Sequence, residues 1–254
     1  KTHYEYAIVF LIVLIIFLIN YTPSTYLMGW DNLQTDLNPA LGIKRSFQGV
    51  WQEYQSFGLT SGLAHTADLL RSVFIWIISF ALPSNLIRYF YHFLMVLVGG
   101  LGMLPLLKTI LDGKNKTFAL LGAFFYIFNY GTVQIFYLPW ESFSTFFAFL
   151  PWGLWVFIKL LENIDKKKYW MLFFAINLLA TPSFYIQTIF LVYMLILMCV
   201  AIGYCLETRS IKVLKNSFLI ISAILLLNSF WILPQIYSFI TRAEIIASAK
   251  NNLL

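Results

Sequence analysis

The sequence alternates long apolar runs with short basic loops, and this pattern limits the possible folds more than any other feature. A transmembrane helix needs about 20 predominantly apolar residues. Hydrophobic residues make up 60% of the chain and charged residues only 11%, whereas soluble proteins carry about 25% charged residues. The sequence therefore predicts an all-α polytopic membrane protein. The apolar runs are 6–21, 89–107, 117–138, 142–158, 169–206 and 216–240.

The fifth run, 169–206, is about twice the length that one span requires. Thr181-Pro182-Ser183 interrupts it, and a residue that precedes proline is biased away from helical geometry. We interpret this run as a hairpin of two helices. The six runs then predict seven transmembrane helices, one at 6–21 and six within 87–240.

The basic residues predict the orientation of these helices. Lys and Arg concentrate in the cytoplasmic loops of membrane proteins, and the loops after the second, fourth and sixth spans are basic. We therefore expect a cytoplasmic N-terminus, a plasma membrane location, and an outward-facing segment at 241–254. The net charge of +6 is divided among these loops, so it does not indicate nucleic acid as a partner. The loop residues are Lys108, Lys114, Lys116, Lys159, Lys166, Lys167, Lys168, Arg209, Lys212 and Lys215.

The segment 22–86 is a large outer loop in this topology, and it is rich in ionisable residues. We expect two interfacial helices in it, near 39–56 and 68–82. Asn38 can cap the first helix, and Pro39 suits its first position. The apolar part of the second is short for a span, and such runs are more often interfacial or re-entrant. We expect residues 1–254 to be the N-terminal part of a longer membrane module.

Four motifs in this region resemble the GT-C glycosyltransferases, and the arabinofuranosyltransferase D type most of all. They are Asp31-Asn32-Leu33-Gln34-Thr35-Asp36-Leu37-Asn38-Pro39, Lys44-Arg45 followed by Trp51, Phe57-Gly58, and Arg88-Tyr89-Phe90-Tyr91. The resemblance covers roughly the first 110 residues. It departs from the family at Asn38, where the family prefers Asp, and at 60–65. These departures leave the sugar and the acceptor open.

The resemblance implies a GT-C-like helical bundle and a transfer reaction at the outer membrane face. The donor would be a polyprenyl-phosphate sugar, and the acceptor a cell-envelope glycan, lipid or protein. Membrane lipids would be further partners. Such a transfer needs a base for the acceptor hydroxyl, an oxocarbenium-like transition state, and cations or a metal beside the leaving phosphate.

Asp31 is the candidate base, because it follows Gly29-Trp30 at the outer end of the first helix. The alternative is a loop aspartate that caps a turn. Asp36 either orients Asp31, helps to bind a divalent cation, or is simply solvated. His65 is a candidate second base or phosphate contact, although a single histidine is more often structural.

Glu141 lies in an outer connection without Lys or Arg, where many GT-C enzymes have a second acidic motif. We expect Asp31, Asp36 and Glu141 to be candidate ligands of a divalent cation, Mg²⁺ or Mn²⁺. A carboxylate that ends a turn in solvent is the alternative for Glu141.

Three cationic residues are candidates for binding the donor phosphate. Lys44 and Arg45 lie on the first interfacial helix, and Arg can bond phosphate in a bidentate manner. Snorkelling towards lipid headgroups is the alternative. Arg88 opens the second span on the outer side, against the positive-inside trend.

Two other classes of function remain open. A lipid or polysaccharide transporter usually has ionisable residues at mid-membrane. The apolar runs 89–107, 117–138, 142–158 and 216–240 contain few such residues, which argues against this class. A non-catalytic membrane subunit would dock a partner through the outer loop, and the departure at Asn38 favours that class.

Overall fold

The computed structural model describes residues 4–29, 35–52, 59–60, 65–111, 113 and 115–248, and this part of the chain is almost entirely helical. Its strands are β1 (Trp51–Gln52) and β2 (Leu59–Thr60), which pair antiparallel. Two 3₁₀ helices are His65–Asp68 and Thr181–Tyr185. The α-helices are α1 (Tyr4–Asn20), α2 (Pro39–Phe47), α3 (Leu69–Ile78), α4 (Ser84–Ile110), α5 (Lys116–Phe128), α6 (Tyr130–Tyr137), α7 (Glu141–Glu162), α8 (Lys167–Ala180), α9 (Gln187–Thr208), α10 (Ile211–Leu227) and α11 (Ser229–Ser248).

Within these described residues, three to five helices are candidates for spanning a membrane. Helices α4, α7 and α9 are long and apolar enough by themselves. The pair α5 and α6 is bent by 44°, and α10 with the first part of α11 is bent by 77°, so each pair is one broken span or a re-entrant loop. Helix α1 is shorter, with 17 residues. The predicted all-helical membrane architecture agrees with the structure, but seven spans are not confirmed.

Asparagine side chains account for both bends. Asn129 accepts a hydrogen bond from the Thr132 amide at 3.1 Å and donates to the carbonyl of Tyr126 at 2.9 Å. Asn228 is fully buried, donates to the carbonyl of Ile224 at 2.9 Å, and accepts from the Trp231 indole at 2.8 Å. Asn129 satisfies backbone groups at the end of α5 and the start of α6, whereas Asn228 satisfies a backbone carbonyl of α10 and the indole of a tryptophan in α11. Apolar runs that look continuous in the sequence are therefore divided.

The segment 22–86 contains the expected helices, with one correction. Helix α2 begins as predicted, since the Asn38 side chain accepts from the Leu41 amide at 3.2 Å. The prediction that it continues to residue 56 is wrong, because it ends at Phe47. A Cβ atom on Gly49 would lie 2.9 Å from both the His65 side chain and the Thr66 amide, so the chain turns there against a 3₁₀ helix. Helix α3 lies within the predicted segment 68–82.

Helix α4 is the centre of the bundle, and its partners define two ends. It runs parallel to α7, with the Trp152 indole donating to the carbonyl of Val98 at 2.9 Å. It runs antiparallel to α1, because Glu5 pairs with Lys108 while the Tyr21 and Tyr89 rings meet at 5.2 Å. We call the end where α4 and α7 begin the site end.

Candidate functional site

Among the described residues, six with ionisable side chains meet at the site end, from four segments of the chain. Each residue is buried, with at most 8% of its surface exposed. They form a sequence of contacts in which carboxylate and nitrogen-bearing side chains alternate, and we call them the charged cluster. Its members are Asp36, Asp68, Arg71, Arg88, His92 and Glu141.

Arg71 joins two aspartates of the segment 22–86. Its Nε and Nη2 donate to the two carboxylate oxygens of Asp68, both at 2.7 Å, and its Nη1 donates to Asp36. Asp68 and Arg71 are three residues apart where a 3₁₀ helix continues into α3, so both side chains lie on one face. Bidentate pairing of this kind is strong and directional.

Arg88 joins the segment 22–86 to α7. Its Nε lies 3.3 Å from Oδ2 of Asp36, and its Nη2 donates to Oε1 of Glu141. Asp36 therefore contacts both guanidinium groups. Through Arg88, the second turn of α4 is connected to the first turn of α7.

His92 completes the cluster one helical turn after Arg88. Its Nε2 lies 3.7 Å from Oε1 of Glu141, and its Nδ1 lies 2.7 Å from the Ser144 hydroxyl. Beside it, the Tyr91 and Thr145 hydroxyls form a hydrogen bond. Polar groups at a spacing of three or four residues on α4 thus face those on α7.

Electrostatics keeps Arg71 charged. Burial alone would lower the pKa of Arg71, but the carboxylates of Asp36 and Asp68 outweigh it and raise that pKa. Burial raises the pKa of the Asp68 carboxyl, and the Arg71 guanidinium opposes this shift. Removing one member would leave buried charge without compensation, which is costly.

A pocket of about 220 Å³ opens beside the cluster. Asp36 and Arg88 contribute its charged lining, and the remaining lining comes from Tyr26–Met28 and from residues next to Asp36. Gly29 lies directly against this site, because a Cβ atom there would be 2.5 Å from Nη2 of Arg88 and 2.4 Å from the carbonyl oxygen of Pro139.

The predicted site residues have different positions. The structure brings Asp36, Arg88 and Glu141 together in the cluster. Lys44 and Arg45 lie in the last turn of α2, where Lys44 is exposed and Arg45 is half-buried. Asp31, the candidate base, lies outside the described residues.

Three members of the cluster were not among the predicted site residues: Asp68, Arg71 and His92. Local signals for them exist in the sequence. Asp68 and Arg71 have the spacing of a helical ion pair, and His92 follows Arg88 by four residues. Nothing local indicates their partners Asp36 and Glu141, which are distant in the chain.

The two described ligands of the expected divalent cation do not fit one shared ion. Among the residues that the structure describes, no group of three or more His, Cys, Asp or Glu side chains is placed to hold a metal ion. Asp36 and Glu141 instead have the Arg88 guanidinium between them. The third expected ligand, Asp31, is outside the described residues.

His65 contacts the ring of Tyr185, with a centroid distance of 5.1 Å. Burial lowers the pKa of His65 to about 4, and Arg45 acts in the same direction. The unfolded chain, with an ordinary histidine pKa of 6.5, therefore binds more protons than the folded protein between these values. Stability consequently falls as the pH drops through this window.

We expect His65→Gln to remove this share of the acid sensitivity. The thermal midpoint of the wild-type protein should fall more steeply than that of the variant between about pH 7 and about pH 4.5. Thermal unfolding of both proteins across that range measures the difference. Parallel curves for the two proteins would show that His65 does not titrate in this way.

Comparisons of this chain with protein-family models, with curated proteins and with solved structures give no match. The class of this protein therefore rests on its own residues. The described part of the chain is a helical protein with three to five candidate membrane spans and a buried charged cluster at one end of the bundle.

Proposed function

We propose that this chain belongs to a membrane glycosyltransferase. It transfers a sugar from a polyprenyl-phosphate donor to a glycan, lipid or protein acceptor at the outer face of the plasma membrane. Asp31 is the general base in this proposal, and Lys44, Arg45 and Arg88 are the candidate contacts of the donor phosphate. The N-terminus is cytoplasmic, so that the site end faces outwards.

The observation that carries the proposal is the charged cluster beside a pocket at one end of apolar helices. Asp36 and Arg88 line this pocket, and Gly29, two residues before Asp31, packs against Arg88. A reaction between a membrane lipid and a polar acceptor needs ionised groups at the level of the membrane interface. Buried ionisable groups in membrane proteins are by default candidates for function.

An apolar cleft of about 180 Å³ supports a lipid-linked donor. Arg71, Tyr91 and Thr145 line it at the end beside the charged cluster, and it continues along α4 to Val98. Val98 follows Tyr91 by seven residues, which corresponds to about 10 Å of helix. An almost wholly apolar cleft that ends beside the cluster suits the lipid part of such a donor. Leu179, which is 51% exposed, lines the apolar part.

To test the proposal, membranes that contain the full-length protein are incubated with a panel of polyprenyl-phosphate sugars and, separately, with nucleotide sugars. We expect transfer from a polyprenyl donor and none from the nucleotide sugars. Leu179→Trp narrows the cleft from an exposed position and should raise the KM for the donor. Leu178→Trp is the matched control, because Leu178 is also exposed, at 41%, and does not line the cleft.

One observation favours the second candidate, a non-catalytic membrane subunit. Asp36, Asp68 and Glu141 are each paired with a guanidinium group, an arrangement that also suits a purely structural role. Wild-type membranes that transfer no sugar from any donor of the panel would support this candidate and contradict the enzyme.

A further inference from the structure

We infer that the Arg88 guanidinium takes the place of a divalent cation between Asp36 and Glu141, and that these two carboxylates bind no metal ion. The inference concerns the charged cluster and is independent of whether the protein transfers sugar. In the proposed enzyme, the positive charge between these two carboxylates is then the Arg88 guanidinium of the chain itself and not a bound metal ion.

The first argument is the position of the guanidinium. Nε of Arg88 lies 3.3 Å from Asp36, and Nη2 donates to Glu141. A Mg²⁺ or Ca²⁺ ion needs its oxygen ligands at about 2.0–2.6 Å around a single point. The guanidinium lies between the two carboxylates, and its positive charge would repel a cation brought next to it.

The second argument is the shape of the backbone around Arg88. A Cβ atom on Gly29 would lie 2.5 Å from Nη2 of Arg88, closer than real Cβ contacts come. The same Cβ atom would lie 2.4 Å from the carbonyl oxygen of Pro139, two residues before Glu141 in the chain. The backbone at Gly29 thus lies directly against both the guanidinium and the segment that precedes Glu141, and a side chain at this position would collide with both.

The third argument is charge balance. The cluster has three carboxylates, of Asp36, Asp68 and Glu141, and the two guanidiniums of Arg71 and Arg88 compensate two of them. Nε2 of His92 lies 3.7 Å from the Glu141 carboxylate. Among the described residues, each of the three carboxylates therefore contacts at least one guanidinium of the chain itself, without an added ion.

The test measures Mn²⁺ binding to the full-length protein in detergent from the electron paramagnetic resonance signal of free Mn²⁺. We expect the wild-type protein, Asp36→Asn and Glu141→Gln to bind the same amount. Glu162→Gln is the control, because Glu162 forms a surface ion pair with Lys159. Mn²⁺ binding that is lost in Asp36→Asn or Glu141→Gln but kept in Glu162→Gln would overturn the inference.

A second measurement compares the thermal stability of the protein with and without Mn²⁺. We expect the thermal midpoint of the wild-type protein to be the same in EDTA and in Mn²⁺, since a ligand stabilises only a state that binds it. A rise with Mn²⁺ that persists in Asp31→Asn and Glu162→Gln but disappears in Asp36→Asn or Glu141→Gln would place the ion at the cluster and contradict the inference. Neither measurement depends on sugar transfer. The Mn²⁺ binding and the thermal midpoints can therefore be interpreted even if the transfer assay shows no activity.

A double-mutant cycle tests the position of the Arg88 guanidinium against Gly29. Gly29→Ala should lower the thermal midpoint, whereas Gly203→Ala should not, because nothing lies within 4 Å of a Cβ atom on Gly203. In Arg88→Lys the collision with Nη2 is absent but the collision with the Pro139 carbonyl oxygen remains, so adding Gly29→Ala should cost less there than in the wild type without becoming harmless. A harmless Gly29→Ala in the wild-type protein would show that the backbone does not lie against the guanidinium in this way.

Discussion

Asp31→Asn is expected to reduce sugar transfer by about 10²–10⁴-fold, the contribution typical of general acid–base catalysis. Asparagine has nearly the shape of aspartate, but its amide cannot accept the proton of an acceptor hydroxyl. The rate of transfer from the active polyprenyl donor, normalised to the amount of protein in the membrane, measures the effect. The amount and the thermal midpoint of the variant should stay close to those of the wild type.

Variants of the other acidic residues distinguish a catalytic base from a structural carboxylate. Asp36→Asn and Glu141→Gln each break an ion pair of the cluster, so we expect them to lower stability as well as transfer. Transfer that survives in Asp31→Asn would contradict its role as the base and move that role to Asp36 or Glu141.

Arg71→Met is expected to lower the free energy of unfolding by about 3–5 kcal/mol, the cost of removing one partner from a buried ion pair. Met replaces the aliphatic part of the side chain but leaves the carboxylates of Asp36 and Asp68 without their guanidinium. Both carboxylates are buried, at 5% and 6% exposure. Denaturation of the detergent-solubilised protein by heat or by SDS measures the change.

A surface ion pair provides the matched control for this prediction. Lys159→Met removes the partner of Glu162, and both side chains of that pair are partly exposed, so its cost should be about 1 kcal/mol or less. Adding Asp68→Asn to Arg71→Met should recover part of the lost stability, because one of the uncompensated charges disappears. An Arg71→Met variant as stable as Lys159→Met would show that the pairing contributes little.

The features that depend on neighbouring residues follow from the amino-acid sequence alone. Apolar runs predict helices, because a backbone in lipid must satisfy its own hydrogen bonds. Asn38 and Pro39 predict the start of α2, because a cap acts within one turn. The proline in Thr181-Pro182-Ser183 predicts a break, and a 3₁₀ helix separates α8 from α9 there.

Which charges meet, and where apolar runs bend, depends instead on how the helices pack. Arg71 pairs with an aspartate 35 residues away, and Arg88 pairs with a glutamate 53 residues away. Such pairings follow from how α3, α4 and α7 pack, which no local pattern encodes. The bends at Asn129 and Asn228 are likewise undetermined by composition, because an asparagine can either remain inside a helix or bond the backbone that ends it. Packing selects between these outcomes, and it thereby builds the charged cluster at the site end.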